Sequence, residues 1–420
     1  MTWTGPHTAL ERFLRYVQID TESDPEGETT PTTQKQFDLS RLLARELEAM
    51  GASDVLCDAH AYVYATIPAT VSHAVPVICF CSHVDTSPDV SGANVRPQVH
   101  EHVAGKPITI NGSRGLALTE AEQPYLKEHR GRRVVTASGN SLLGADDKAG
   151  VAAIMDAAQF LLANRSILHG EIRVLFTPDE EVGRGVDAVN MARLGADFGY
   201  TMDGGEAGTY EGETFSADGA RVRITGVSAH PGYAKGKLVN ALRAASYFVE
   251  QLPKGRQTPE TTEGREGFAH LMHMEGSAEV CELTFILRDF DTARLDEHYG
   301  LLLTASAKTQ DAYPGARIDI EREEQYRNLG ETLVDHPEVL ANAREAIGNL
   351  GLEPREGAIR GGTDGSRLSF MGMPCPNLFT GMQMIHSRRE WVGERDLDLS
   401  AELIVELAQV WARNAQPQSV

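Results

Sequence analysis

Basic residues are scarce in this sequence. Only 39 Lys and Arg stand against 60 Asp and Glu, a formal net charge of −21 over 420 residues. Nucleic acid and anionic lipid both demand a positive surface to neutralise phosphate, so neither is an expected partner. Long apolar runs are missing too, and nothing approaches the roughly 18–20 residues that span a bilayer. The first seven residues, Met-Thr-Trp-Thr-Gly-Pro-His, contain neither a basic nor an apolar stretch, which argues against a secretory signal. Cysteine is limited to five residues (Cys57, Cys79, Cys81, Cys281 and Cys375), several inside apolar runs. An odd number of such residues reads as buried free thiols in a reducing compartment. Also absent are a HExxH helix, a G-x-S-x-G elbow, internal repeats and long low-complexity tracts. What is present, 41% hydrophobic and 24% charged residues, suffices for a substantial core. The expectation is a cytoplasmic protein of two domains acting on something small.

The first half alternates helix and strand patterns. Residues 34–50 carry apolar side chains at Phe37, Leu39, Leu43, Leu47 and Met50, with Thr33 as a candidate cap and Gly51 as the stop. Residues 75–81 form a nearly continuous apolar run, as a strand buried on both faces requires. Helical spacing returns over 151–162, and 171–177 and 198–202 read as two further strands. This alternation predicts a mostly parallel sheet with helices on both faces. After about Phe215 the order becomes strand (221–225), helix (238–252), two strands (269–275 and 279–290), helix (295–312) and strand (316–321). That is the split βαβ pattern of a ferredoxin-like α+β domain. Beyond Asn328 the α/β texture resumes, with helices at 337–350 and 399–413 around a strand at 377–380. The predicted division is therefore 1–215 and 329–420 as one catalytic domain, with 216–328 inserted as a lid. The stretch 21–33 reads as a loop, and 112–136 as an excursion with one short helix.

Short polar clusters follow the predicted strands. Ser82-His-Val-Asp-Thr comes after the 75–81 run, and Gly144-Ala-Asp-Asp-Lys-Ala-Gly precedes the helix at 151. Pro178-Asp-Glu-Glu-Val-Gly and Asp203-Gly-Gly-Glu follow two more strands, and His386 follows the last. Loops at the carboxyl ends of parallel strands converge on one crevice, where such folds bind ligands. Any one of these acids alone is most simply a solvated loop residue. Together, His83, Asp146, Glu181, Asp203 and His386 offer two imidazoles and three carboxylates, a set suited to hydrolytic Zn²⁺ or to Co²⁺ or Mn²⁺. If one carboxylate bridges, five ligands hold two metals about 3.5–4 Å apart. Asp85, two residues after His83, is placed to hold the other ring nitrogen. Of the adjacent pair Glu180 and Glu181, one can ligate while the other moves protons. Cys81 ends an apolar run and reads as a packed thiol rather than a nucleophile.

At these residues the sequence resembles the di-zinc exopeptidases, the family of tripeptide aminopeptidases, aminoacylases and carboxypeptidase relatives. The likeness also takes in His230-Pro-Gly with Ala234-Lys-Gly, Arg288-Asp-Phe-Asp, Arg360-Gly-Gly-Thr-Asp-Gly-Ser and Pro374-Cys-Pro-Asn-Leu-Phe-Thr-Gly, so it covers essentially the whole chain. It implies that His83 and Asp203 bind one Zn²⁺ and Glu181 and His386 a second, with Asp146 bridging. It makes Asp85 the residue that orients His83, Glu180 the general acid/base, and the Asp146–Asp147 peptide cis. It implies a homodimer formed through the inserted domain, in which His230 reaches the partner's site to stabilise an oxyanion. As a turn residue, His230 also has a purely structural reading. Arg288 would grip a substrate carboxylate, or form a plain salt bridge. Gly361, Gly362 and Thr363 would present backbone N–H groups to substrate. The implied activity is attack of metal-bound hydroxide on the first peptide bond of a tripeptide. The alternative is a related di-zinc dipeptidase, carboxypeptidase or N-acyl amino acid amidohydrolase. Around His386 the chain departs from the family pattern, with Met382-Gln-Met-Ile before it and Ser387-Arg-Arg-Glu-Trp after it. That departure bears on side-chain preference and on strict tripeptide length.

Overall fold

The structure is a computed structural model in which residue 3 and residues 5–415 are described. The N-terminal stretch read above for a leader lies partly outside the described residues. The chain folds into two compact units: Met1–Gly212 with Thr332–Gly357 and Thr363–Val420, and Glu213–Glu331 with Ala358–Gly362.

The first unit is built on an eight-stranded sheet. Its order is Ser53–Cys57, Val63–Ile67, Ile172–Thr177, Ile78–His83, Phe198–Gly204, Asn377–Phe379, Thr209–Thr214 and Arg355–Ile359. The four strands from Ile172–Thr177 to Asn377–Phe379 are parallel. The expected mostly parallel sheet is thus parallel at its centre, while Ser53–Cys57, Val63–Ile67 and Thr209–Thr214 pair antiparallel. Chain length explains the difference. The links at 58–62, 68–77 and 205–208 are shorter than the dozen or so residues a crossover needs, so the chain reverses direction at each. All six residues of Ile78–His83 are buried. Cys79 and Cys81 point into one apolar cluster with Tyr62, Leu175 and Leu368, the last from the short helix Asp364–Phe370.

The long helix Ala145–Ala163 covers the sheet near the strands Ile78–His83 and Phe198–Gly204 and packs against the helix Glu394–Asn414. It begins six residues earlier than the apolar spacing predicts, because its polar first turn is buried. Gly150 permits its approach to the sheet: a Cβ there would lie 1.9 Å from the backbone oxygen of Met202. The helix Gln36–Met50 starts after Lys35, not at the predicted Thr33 cap, whose hydroxyl donates instead to the Glu22 carbonyl (2.8 Å). It ends as expected on left-handed Gly51 (φ 90°).

The second unit has a four-stranded antiparallel sheet in the order Phe268–Gly276, Val280–Asp289, Ser216–Thr225, Arg317–Tyr326. Helices Ala241–Glu250 and Leu295–Ala312 complete the β-α-β-β-α-β arrangement of a ferredoxin-like fold. Val222, Ile224, Phe248, Leu283, Phe285 and Leu302 form its core. Residues 358–362, read in the sequence as part of the last catalytic segment, cluster with this unit instead. The Phe215 N–H donates to the carbonyls of Ile359 and Gly361 (3.1 Å each), and the Arg360 guanidinium lies over the rings of Phe215 and Phe268.

Candidate metal centre

The five candidate ligands come from five separate points of the first unit, all beside the central parallel strands. His83 is the last residue of Ile78–His83, and Asp203 the penultimate residue of Phe198–Gly204. Glu180 and Glu181 open a single 3-10 turn, Glu180–Val182, just past Ile172–Thr177. Asp146 stands in the first turn of the long helix with non-helical dihedrals, and its peptide bond to Asp147 is cis, as expected. His386 lies in the loop after Asn377–Phe379 with a left-handed backbone (φ 57°). That conformation costs a non-glycine residue about 1 kcal/mol or more and persists where its surroundings fix it.

The side chains converge. His83 Nε2 lies 2.9 Å from Asp146 Oδ1 and 4.0 Å from Asp203 Oδ1. His386 Nε2 lies 2.8 Å from Glu181 Oε2 and 3.3 Å from Asp146 Oδ2. Two groups of three result, His83–Asp146–Asp203 and Asp146–Glu181–His386, each with its ligand atoms all within 4.8 Å of one another. Asp146 belongs to both. This donor set fits two divalent ions, and it has one further mark of a cation site: Glu181 Oε1 is buried and has no hydrogen-bond partner among the described residues. Cys81, two residues before His83, keeps the apolar role expected of it, and burial pushes its thiol well up.

Other carboxylates and amides hold these loops. Asp85 is fully buried and does more than face His83 Nδ1 (3.3 Å): it accepts the backbone N–H groups of Glu180 (3.0 Å) and Glu181 (3.2 Å). Asp147 accepts the Ser82 hydroxyl and the Gly150 N–H (3.3 Å). The Asn377 amide accepts from Asp203 N–H (3.1 Å) and donates to the Asp203 carbonyl (2.9 Å), fixing that strand end. Glu390 accepts three N–H groups of the Asp146 loop. Asp89 meets His386 Nδ1 at 3.0 Å. The sequence reading singled out Asp85 but missed Asn377, Glu390 and Asp89, because nothing in their spacing separates them from ordinary polar residues.

Crowding sets the electrostatics. Burial pushes Glu180 well above its ordinary value, and the carboxylates of Asp364, Glu181 and Asp146 add to this against the pull of His83. Burial and the charge of Asp146 raise Glu181 to about 7. Burial, Asp147 and Asp146 raise Asp203 further. Asp146 alone is held down: burial opposes this, and the bonds from His386 and His83 outweigh it. Cations in this space would relieve the repulsion that otherwise makes the carboxylates retain protons. Among the described residues, the Glu180 side chain is committed to no hydrogen bond or ion pair.

The remaining candidates divide between the units. His230 opens the turn Pro231–Tyr233 in the second unit, and its Nδ1 accepts the Gly232 N–H (3.1 Å). Arg288, near the end of Val280–Asp289, donates to the carbonyls of Leu287 (2.9 Å) and Asp218 (3.3 Å) and lies 5.4 Å from the Tyr326 ring centroid. The plain salt bridge considered for it is not formed among the described residues. Gly361 and Gly362 belong to the second unit, where a Cβ on Gly362 would strike the Tyr326 ring at 2.6 Å. Thr363 belongs to the first unit and caps Asp364–Phe370.

Residues 126–410 match the sequence profile of "Peptidase family M20/M25/M40". The chain is similar to peptidase T of Geobacillus kaustophilus strain HTA426, at 43% identity over 406 residues, covering 97% of this chain and 98% of that one. It is similar to a tripeptidase of Staphylococcus aureus subsp. aureus Mu50, with a TM-score of 0.75 and 25% identity, covering 96% of this chain and 98% of that one. The fold is shared with aminopeptidase PepT of Bacillus cereus ATCC 10987, at a TM-score of 0.73 and 24% identity over the same shares of the two chains.

Proposed function

The chain belongs to peptidase family M20/M25/M40, and from that premise we propose that it is a metal-dependent aminopeptidase removing the N-terminal residue from tripeptides. One observation carries the reading: Asp146 is shared by two ligand groups, with the uncommitted Glu180 beside Glu181. The name of the Staphylococcus relative, a tripeptidase, favours tripeptides as the substrate. His83 and Asp203 would hold one ion, Glu181 and His386 the other, and Asp146 both. Imidazole and carboxylate donors suit Zn²⁺, with Co²⁺ or Mn²⁺ as substitutes. When bound, two such ions polarise a peptide carbonyl and bring the pKa of water near 7.

The chain's own residues do the rest. Glu180, its pKa raised by burial and neighbouring carboxylates, takes a proton from the attacking water and returns it to the departing amine. Asp85 ties His83 to the turn carrying Glu180 and Glu181, so base and ligands keep one register. Arg288 has guanidinium nitrogens to spare for a peptide carboxylate, and the N–H groups of Gly361, Gly362 and Thr363 serve the peptide backbone. A homodimer through the second unit would let His230 of one protomer serve its partner. Because His230 Nδ1 accepts a hydrogen bond, the neutral ring carries its proton on Nε2, the form that donates to an oxyanion. The five free cysteines suit a cytoplasmic enzyme of peptide catabolism.

The test compares free tripeptides with dipeptides, N-blocked tripeptides and acyl amino acids. Free tripeptides should be the preferred substrates. Glu180→Ala should retain its metal and lose about 10²–10⁴ in turnover. Cleavage of N-blocked but not free peptides would refute the aminopeptidase reading, and wild-type turnover by Glu180→Ala would refute the base.

A further inference from the structure

Asp146 is held from outside its own loop. The side chain of Glu390 is buried, with the residue 1% exposed. Its Oε2 accepts the N–H groups of Leu143 (2.6 Å) and Gly144 (2.8 Å), and its Oε1 accepts that of Asp146 (3.0 Å). Glu390 stands four residues after His386, in a turn where its own N–H donates to the Ser387 carbonyl (3.3 Å). The strand Trp391–Gly393 follows at once and pairs with Arg133–Thr136. One carboxylate therefore fastens the loop of Asp146 to the loop of His386. Asp85 has the same construction across the site, fastening the loop of His83 to the turn of Glu180 and Glu181.

We propose that Glu390 is a positioning residue for the metal pair, setting the separation of Asp146 from His386 without touching ion or substrate. The inference rests on the two-metal reading above. The chemistry of the grip explains why the residue is a carboxylate. Three N–H donors arrive on two oxygens, so both oxygens must be acceptors. Glutamine presents one acceptor and one NH₂ group, which would face an N–H and leave at least one buried donor unpaired. Aspartate keeps both acceptors on a side chain one methylene shorter. Outer partners that orient metal ligands are typically worth about 10–100-fold in metal affinity.

The experiment titrates Zn²⁺ into metal-free wild type, Glu390→Gln, Glu390→Asp and the control Glu394→Gln, whose half-buried carboxylate pairs with Arg133 and not with the Asp146 loop, against a chromogenic chelator. Co²⁺ absorption spectra and the thermal midpoint are measured alongside. Wild type and Glu394→Gln should bind two Zn²⁺ with equal affinity. Glu390→Gln should bind about 10–100-fold more weakly with an altered Co²⁺ spectrum, and Glu390→Asp should fall between. At saturating Zn²⁺, KM for a tripeptide should stay at the wild-type value while kcat falls. The proposal is overturned if Glu390→Gln binds two Zn²⁺ as wild type does with an unchanged Co²⁺ spectrum, even if it melts earlier. Should that variant not fold, the same comparison on Glu390→Asp decides. A wild type that binds fewer than two Zn²⁺ removes the parent reading itself, a result distinct from a defect confined to Glu390.

Discussion

Gly150 and Gly300 both lack a side chain, with opposite consequences. A methyl on Gly150 would meet the Met202 carbonyl oxygen at 1.9 Å, the Asp147 carboxylate at 2.6 Å and the Ser82 hydroxyl at 2.8 Å. The first of these is backbone of the strand that supplies Asp203, so neither side can yield without moving a candidate ligand. A methyl on Gly300, inside the helix Leu295–Ala312, meets nothing within 4 Å. Gly150→Ala should therefore cost about 1–3 kcal/mol and weaken metal binding. Gly300→Ala should add about 0.5–1 kcal/mol by reducing the freedom of the unfolded chain. Urea midpoints of the two variants check the signs, and equal shifts would show that contact at Gly150 does not decide its tolerance. Side chain by side chain, the sequence discloses which chemistry is present but not which residues hold it in place. His83, Asp146, Glu181, Asp203 and His386 stand in polar clusters beside apolar strands, a local signal. Asn377 and Glu390 act on backbone groups far away in sequence, and no spacing records that.

Elements that bury polar groups are the hardest to read from sequence. The helix Ala145–Ala163 hides Asp146, Asp147 and Lys148 in its first turn, so a reading by apolar period starts it late. The strands Gln98–Glu101, Arg133–Thr136 and Trp391–Gly393 form a separate sheet, yet each has only three or four residues, too few to show a period. The short helix Ala9–Tyr16 escapes as well, and its entry is fixed by charge as much as by packing. His7 Nδ1 meets Asp156 at 2.9 Å on the helix Ala145–Ala163. Its Nε2 meets Glu402 at 3.3 Å on the helix Glu394–Asn414, with Asp398 also facing the ring at 3.9 Å. Trp3 stacks between His7 and Phe160. Burial alone would lower the His7 pKa, but the bonds to Asp156 and Glu402 and the charge of Asp398 raise it to about 9. A histidine raised on folding adds stability that is complete below its unfolded value near 6.5 and is lost as pH rises through its folded value. Stability should fall by about 2 kcal/mol between pH 6.5 and 9, and His7→Gln should flatten that slope. Denaturant midpoints across the window measure it, and an unchanged slope in His7→Gln would assign the pH dependence elsewhere.

An inserted α+β domain is legible in the sequence of the full chain because its strand and helix order is contiguous. The return of Ala358–Gly362 to that unit is not, since it depends on hydrogen bonds from Phe215, more than a hundred residues earlier. The candidate metal ligands and Glu180 all belong to the first unit, whereas His230 and Arg288 belong to the second. The proposed homodimer makes this separation testable through shared sites. Glu180→Ala lacks the proposed base and His230→Ala the proposed oxyanion donor, so each homodimer should be nearly inactive. Random exchange of subunits makes half of the dimers hybrids. If His230 serves the partner, one of the two sites in each hybrid has both groups intact, and the mixture should recover about a quarter of wild-type turnover. If His230 serves its own protomer, every site in the mixture lacks one group. Activity would then stay at the mean of the two variants. The assay mixes the unfolded variants, refolds them together in Zn²⁺ and compares tripeptide turnover with that of the separately refolded proteins. Recovery that vanishes when the proteins are mixed only after refolding would identify subunit exchange as its source. No recovery under either protocol would place His230 in its own subunit's chemistry or outside the reaction.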